Sequence, residues 1–312
     1  MHLSLIRVES LTKVFTAGVF KKRPVNVIDD VSFTISAGET LGLVGESGCG
    51  KSTLARVVLR LIPPSGGRIF FKDTEITKAN PKELKKIRTK MQIIFQHPES
   101  ALNPRMKIYN SLVEAMRLQQ IANNRREEGA KVYQLIELVG LNEEHLERYP
   151  HELSGGQIQR VVLARILSLQ PEFIVADEPT SMLDLSVQAQ VLNLFKEIQH
   201  KFNIAYLFIS HDLDVVRWMS DRIAVMYAGR IVEIGPVDKV RENPRHPYTS
   251  ALVDAFFALK NSGIDKIPDP KADKLPAGCK FYPYCLKAGD ICKKKPDLKK
   301  VAEDHFVACW QV

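Results

Sequence analysis

Between residues 41 and 61 the chain reads as strand, glycine-rich turn and helix, and this limits the possible folds more sharply than anything else in it. Leu41-Gly42-Leu43-Val44 is a short apolar run. It stops at Gly45-Glu46-Ser47-Gly48-Cys49-Gly50-Lys51-Ser52, which fits G-x-x-x-x-G-K-[S/T]. Over residues 51–61, Leu54, Val57, Val58 and Leu61 recur at helical spacing, and Pro63-Pro64 ends the pattern. Glycines at 45, 48 and 50 let consecutive backbone N–H groups curl around an anion, and a new helix aims its positive end there. Lys51 would bring a point charge to the β and γ phosphates and Ser52 a hydroxyl to Mg²⁺.

The rest of the chain alternates strands and helices. Residues 3–8 and 31–35 predict early strands forming an antiparallel edge, and 69–71 and 91–95 predict two more. A polar, helix-rich stretch follows from about 96 to 153, an inserted helical subdomain at about 97–156. Helices are expected over 157–169, 187–202 and 213–219, and strands over 173–177, 205–210, 222–227 and 231–234, the last two joined at Gly229. The reading is an α/β core with a largely parallel sheet. After Asn243-Pro244 the texture turns to Pro, Lys and Cys, so the expected division is 1–242 and a C-terminal appendage, 243–312.

Composition sets outer bounds. With 312 residues, 45% hydrophobic and 26% charged, the chain is neither disordered nor a small disulfide scaffold. The net charge of +8 suits an anionic partner without choosing among nucleotide, nucleic acid and membrane surface. No apolar run nears the ~18 residues of a membrane span, and no leader pattern opens the sequence, so a soluble, cytoplasmic chain is expected.

Two further motifs carry chemistry. A buried strand ending in Asp177-Glu178 can place one carboxylate for Mg²⁺ and one to orient water, although an acidic pair alone is usually an ordinary surface feature. Ser154-Gly155-Gly156-Gln157 opens the helix over 157–169, with Ser154 as its cap and two glycines leaving N–H groups open. Alone it would be a helix-start turn. Preceded by Leu153 and about twenty residues before Asp177, it resembles the signature of the ATP-binding cassette.

Taken with Gln96 after the strand at 91–95, Ser181-Met182-Leu183-Asp184, and His211 after the strand at 205–210, the sequence resembles the ATPase subunit of an ABC transporter along nearly its whole length. The resemblance implies a P-loop ATPase fold that binds ATP and Mg²⁺. Gly45, Ser47, Gly48, Cys49, Gly50, Lys51, Ser52 and Thr53 would cradle phosphate, with Ser52, Gln96 and Asp177 at Mg²⁺. Glu178 would be the general base and His211 the switch histidine at the γ-phosphate. Phe15 would stack on adenine, with Phe20 an alternative. Ser154, Gly155, Gly156, Gln157 and Asp184 would face nucleotide from an opposing cassette, so ATP joins two head-to-tail subunits. Met182 stands where the family commonly has Ala, and Ile158 where Arg or Gln is common. Neither removes a group that phosphate chemistry needs.

Ser100-Ala101-Leu102-Asn103-Pro104 and Asn243-Pro244-Arg245-His246-Pro247-Tyr248-Thr249 resemble the oligopeptide and dipeptide importer subfamily, whose relatives also handle nickel or oligosaccharides. The implied partners are two membrane permease subunits, a second ATPase, identical or related, and indirectly an extracytoplasmic solute-binding protein. The implied place is the cytoplasmic face of the membrane. A soluble ATPase acting on nucleic acid or ribosomes is the competing reading. A single cassette without a long coiled-coil insertion opposes it, so no nucleic-acid partner is expected. Cys279, Cys285, Cys292 and Cys309 could hold zinc or an iron–sulfur cluster, or remain free thiols. The subfamily resemblance implies [4Fe-4S].

Overall fold

The computed structural model describes residues 4–17, 23–259 and 276–312. They divide into two compact units, one of residues 1–78 with 207–312 and one of residues 79–206.

The first unit contains a four-stranded antiparallel sheet ordered β2-β1-β4-β5, from β1 (Ser4–Ala17), β2 (Arg23–Ser36), β4 (Gly66–Phe71) and β5 (Thr74–Glu75). β1 and β2 run well beyond the stretches expected from alternation. Register shifts between Val8 and Leu11 and between Lys13 and Val14, with Ser10 and Asp30 at positive φ, break the period-two pattern inside each strand. A second sheet contains β3 (Thr40–Val44), buried at all five positions and parallel to β9 (Arg222–Tyr227), with Leu41 opposite Arg222 and Val44 opposite Val225. β10 (Arg230–Pro236) returns antiparallel beside β9. The end of the chain then adds β12 (His305–Val307) along β10 and β11 (Lys299–Ala302) beyond it. Helices α1 (Lys51–Val58), α7 (Leu213–Met219), α8 (Val237–Glu242) and α9 (Pro247–Leu259) complete this unit.

The stretch after residue 275 is tied down by charge as well as by pairing. Lys280 reaches Asp29 of β2 at 2.9 Å, Arg230 reaches the same carboxylate at 2.7 Å, and Lys295 reaches Asp30 at 2.6 Å. Burial pushes the Asp29 carboxyl up, and Lys280 and Arg230 more than reverse that, holding it below its usual range. Glu233, fully buried on β10, accepts from the backbone N–H groups of Arg245 and His246 and pairs with His305 at 2.8 Å.

In the second unit β6 (Met91–Ile94) lies parallel to β7 (Phe173–Asp177), every residue of which is buried. Around them run α2 (Pro81–Lys90), α3 (Ile108–Leu118), α4 (Arg125–Leu138), α5 (Gly155–Leu167) and α6 (Leu185–Phe202). The apolar stripe of α5, Val161 to Leu167, is buried almost throughout, and each aliphatic side chain so covered contributes about 1.5–3 kcal/mol. Residues 205–209 form β8, whose five residues are all buried. Only Leu84 of α2 is buried, so that helix carries no periodic stripe; it is set by Asn80, which accepts from the N–H groups of Lys82 and Glu83, with Pro81 at its first position.

Candidate functional site

In the first unit, residues 45–52 join β3 to α1. Gly45 has φ 148°, and a Cβ there would lie 2.1 Å from the Met226 carbonyl oxygen; Gly50 has φ 110°, and a Cβ there would lie 2.7 Å from that of Val27. Only glycine allows the loop this close to β9 and β2. Gly229 N–H donates to the Cys49 carbonyl at 2.9 Å, seating the loop on the turn after β9. α1 begins without a side-chain cap or an acid in its first turn, leaving its positive end without a competing anion. Lys51 is buried, and its Nζ donates to the carbonyls of Gly45 at 2.6 Å and Glu46 at 2.9 Å. Ser47, Gly48 and Ser52 are exposed and Thr53 is half-buried. Burial pushes the Cys49 thiol up, which favours an inert, protonated group.

Two other expected residues belong to this unit. Phe15 is exposed on β1, with the Lys13 ammonium 4.8 Å from its ring centroid; Phe20 lies outside the described residues. His211 is exposed after β8, just before Asp212, which caps α7 by accepting from Asp214 and Val215 N–H.

In the second unit β7 delivers Asp177, buried, and then Glu178, half-buried, at a φ of 50°. A branchless but bulky side chain in the left-handed region is uncommon and marks a backbone held there by its surroundings. Gln96 Nε2 donates to Glu178 Oε2 at 3.1 Å, so two residues distant in sequence meet at this strand end. The other turn is equally defined. Ser154 Oγ accepts from Gln157 N–H at 3.4 Å, Gln157 Oε1 accepts from Ser154 N–H at 3.0 Å, and the pair starts α5 at Gly155. Gly156 is buried against Val187 so tightly that a Cβ would come within 2.4 Å of its Cγ1. Asp184 caps α6 through Val187 N–H at 2.9 Å. Sequence reading missed His145, buried beside this turn with Nε2 3.2 Å from Gln157 Nε2; an Asn-x-x-His turn is too common to signal it.

Residues 28–181 match the family described as ABC transporter, and residues 232–292 match the one described as oligopeptide/dipeptide transporter, C-terminal region. The chain is 44% identical over 314 residues to the oligopeptide transport ATP-binding protein OppF of Bacillus subtilis (strain 168), covering 100% of this chain and 98% of that protein. It belongs to the oligopeptide/dipeptide family of ABC transporter ATP-binding proteins. The di/tripeptide transport ATP-binding protein DppF of Pseudomonas aeruginosa (strain UCBPP-PA14) is 44% identical over 305 residues, covering 94% and 92% of the two chains. Among solved structures, the ATP-binding cassette MJ0796, described as a dimer in a post-hydrolysis state bound to ADP and Pi, matches with a TM-score of 0.67 and 26% identity over 74% of this chain and 98% of that one. The chain is thus an ABC ATPase with the P-loop fold.

Among the described residues of this ABC ATPase, no helix is long and apolar enough to cross a membrane. The residues expected at Mg²⁺ carry oxygens of the hard kind that ion prefers, a hydroxyl on Ser52, an amide oxygen on Gln96 and a carboxylate on Asp177. The four C-terminal cysteines form no disulfide and line one small cavity of about 10 Å³ together with Phe281 and Trp310. Burial, and then the neighbouring thiols, push Cys279 up. Among the described residues no three His, Cys, Asp or Glu side chains are gathered tightly enough to hold a metal ion, so the expected four-thiolate set is convergent but not assembled.

Proposed function

We propose that this ABC ATPase powers uptake of di- and oligopeptides across the cell membrane. It would sit at the cytoplasmic face against two permease subunits, paired with a second ATPase, while an extracytoplasmic solute-binding protein supplies the peptide. The observation that carries this reading is full-length similarity to proteins named for peptide transport, extending through the C-terminal region at residues 232–292. An ATPase-only likeness would have stopped at the cassette.

In this reading residues 45–53 bind the phosphate chain, with Lys51 leaving or sharing its loop carbonyls to meet the β and γ phosphates. Phe15 stacks on the base. Ser52, Asp177 and Gln96 hold Mg²⁺, which when bound offsets the charge of the phosphate oxygens. Glu178 takes a proton from water as its oxygen attacks the γ-phosphorus; the bond to the β-phosphate bridging oxygen breaks, giving ADP and inorganic phosphate. His211 orients that water. Ser154, Gly155, Gly156, Gln157 and Asp184 act on the nucleotide of the opposing cassette, and Gln96, touching Glu178, is placed to carry nucleotide state toward the permeases. The dimeric, ADP- and Pi-bound description of the MJ0796 cassette supports pairing of two cassettes around hydrolysis. What supports a [4Fe-4S] site in a Cys-rich appendage is the four cysteines at 279, 285, 292 and 309 together with the membership of the peptide-transport family, not an assembled metal site, and it would have no part in hydrolysis.

The test is Glu178→Gln in the full chain with its permease. The amide keeps a partner for Gln96 but is no base, so ATP should still bind, turnover should fall at least about 100-fold, and an ATP-dependent dimer should accumulate on gel filtration. Normal turnover by this variant would remove Glu178 from its place in the mechanism.

A further inference from the structure

The phosphate loop is held by a residue far along the chain. The peptide group between Gly45 and Glu46 is planar, so its carbonyl and N–H move together. Its oxygen accepts from Lys51 Nζ at 2.6 Å, and its N–H donates to the hydroxyl of Tyr248 at 3.2 Å. A rotation that released one bond would release the other. Tyr248 therefore bears on the presentation of Lys51, though its ring is fully buried in the first turn of α9.

The tyrosine itself is fixed on several sides. Its ring lies 4.4 Å from that of Tyr227, at the end of β9, and 5.5 Å from Phe281, which meets Tyr227 edge-on at 5.4 Å. Its backbone N–H donates to His246 Nδ1 at 3.0 Å, and His246 N–H donates to the buried Glu233 at 2.8 Å. Burial pushes the phenol up, so it stays a neutral hydroxyl. Phe281 sits between Cys279 and Cys285 and lines the cavity shared by all four C-terminal cysteines. The adjacent Lys280 donates to the Ala228 carbonyl at 2.7 Å, one residue before the Gly229 whose N–H holds Cys49. The cysteine segment therefore touches the loop's supports at two points.

We propose that Tyr248 is a positioning residue for the phosphate chain of ATP, fixing the Gly45–Glu46 peptide that presents Lys51, and that Phe281 makes the four-cysteine segment part of that support. This rests on residues 45–52 being the phosphate cradle. A loop pre-set by its neighbours loses less freedom when phosphate arrives, so the effect belongs in affinity rather than in the chemical step.

The experiment compares the full-length protein with Tyr248→Phe, Phe281→Leu and Lys51→Ala, measuring binding of ATP and of inorganic tripolyphosphate by competition with a fluorescent ATP analogue, alongside steady-state hydrolysis. Tyr248→Phe keeps the ring and deletes one neutral hydrogen bond. KM for ATP and Kd for both ligands should rise together by about three- to tenfold, with kcat within about twofold. Phe281→Leu should shift affinities in the same direction. A purely structural tyrosine would lower the melting temperature or the fraction of active sites and leave the Kd of the folded protein unchanged, which overturns the proposal. Weaker ATP binding with unchanged tripolyphosphate binding also overturns it, because the defect would then lie at the base. An unchanged Phe281→Leu overturns the link to the cysteine segment. Lys51→Ala separates the two levels: if it binds ATP normally, the cradle reading itself fails, whereas if it loses ATP while Tyr248→Phe does not, only the positioning inference fails.

Discussion

His246 shows what a single buried side chain can set. Its ring is almost wholly enclosed, burial lowers it to about 4, and its Nδ1 accepts Tyr248 N–H, which requires the neutral form. The unfolded chain binds a proton here near pH 6.5 and the folded chain does not until about pH 4, so stability contributed by this site is complete above about pH 6.5 and declines as pH falls toward 4. The loss would reach about 3 kcal/mol at the bottom of that window. Denaturant titrations at a series of pH values should show this slope, and His246→Asn, which keeps an acceptor but no titration, should flatten it. An unchanged slope would assign the acid sensitivity elsewhere. None of this was legible in the sequence, where Arg245-His246-Pro247-Tyr248 read only as a family resemblance. The loop at 45–52 was legible because its glycines and lysine are close in sequence and their spacing is itself the geometry. The bond from Tyr248 to Glu46 spans 202 positions, and no local pattern encodes it.

At the scale of elements, the strands and helices recovered from pattern are those with one uniformly buried face or none exposed. β7 and α7 fall where a continuous apolar run and helical spacing place them, at Phe173–Asp177 and Leu213–Met219. β1 and β2 extend past their alternating stretches because bulges invert their faces, and α2 gives no periodic signal because its capping box, rather than a stripe, defines it. α5 starts two residues before the expected position, at Gly155, since the Ser154–Gln157 capping box recruits both glycines into the first turn. That start has a testable consequence. Gly156→Ala would drive a Cβ to within 2.4 Å of Val187 Cγ1 on α6, and neither helix can yield without shifting its capped end. The variant should melt lower by the equivalent of about 1–3 kcal/mol and lose ATPase activity more than ATP binding, because the turn rather than the cradle is displaced. Val187→Ala in the same chain should restore much of both. Full activity in the single variant would show that the turn tolerates movement.

Over the whole molecule, the texture change after Asn243 gave no hint of how far the last residues are built into the first unit. β12 extends the sheet beyond β10, His305 supplies a partner to the buried Glu233, and Lys280 and Lys295 answer Asp29 and Asp30. Between these anchors, the stretch over 279–304 has few buried apolar residues to hold it, with Phe281 and Cys292 buried and Leu286 and Ile291 exposed. The proposed cluster would supply a cross-link here, and since ligation needs thiolates, it would have to overcome the burial that pushes Cys279 and Cys309 up. On the proposed [4Fe-4S] reading, protein purified without oxygen should absorb broadly near about 400 nm and carry about four irons per chain, as a thiolate-held cubane requires. Changing any of the four cysteines to Ser, or stripping the iron, should abolish that band and lower the melting temperature by about 5–10 °C, the shift expected for a few kcal/mol in a chain of this size. By the contacts of Phe281, the same loss should weaken ATP binding without preventing it. Colourless protein holding one zinc per chain would keep the cross-link and reject iron. Protein holding no metal, whose stability ignores all four substitutions, would leave these thiols as ordinary half-buried side chains and place the burden of the segment on its ion pairs.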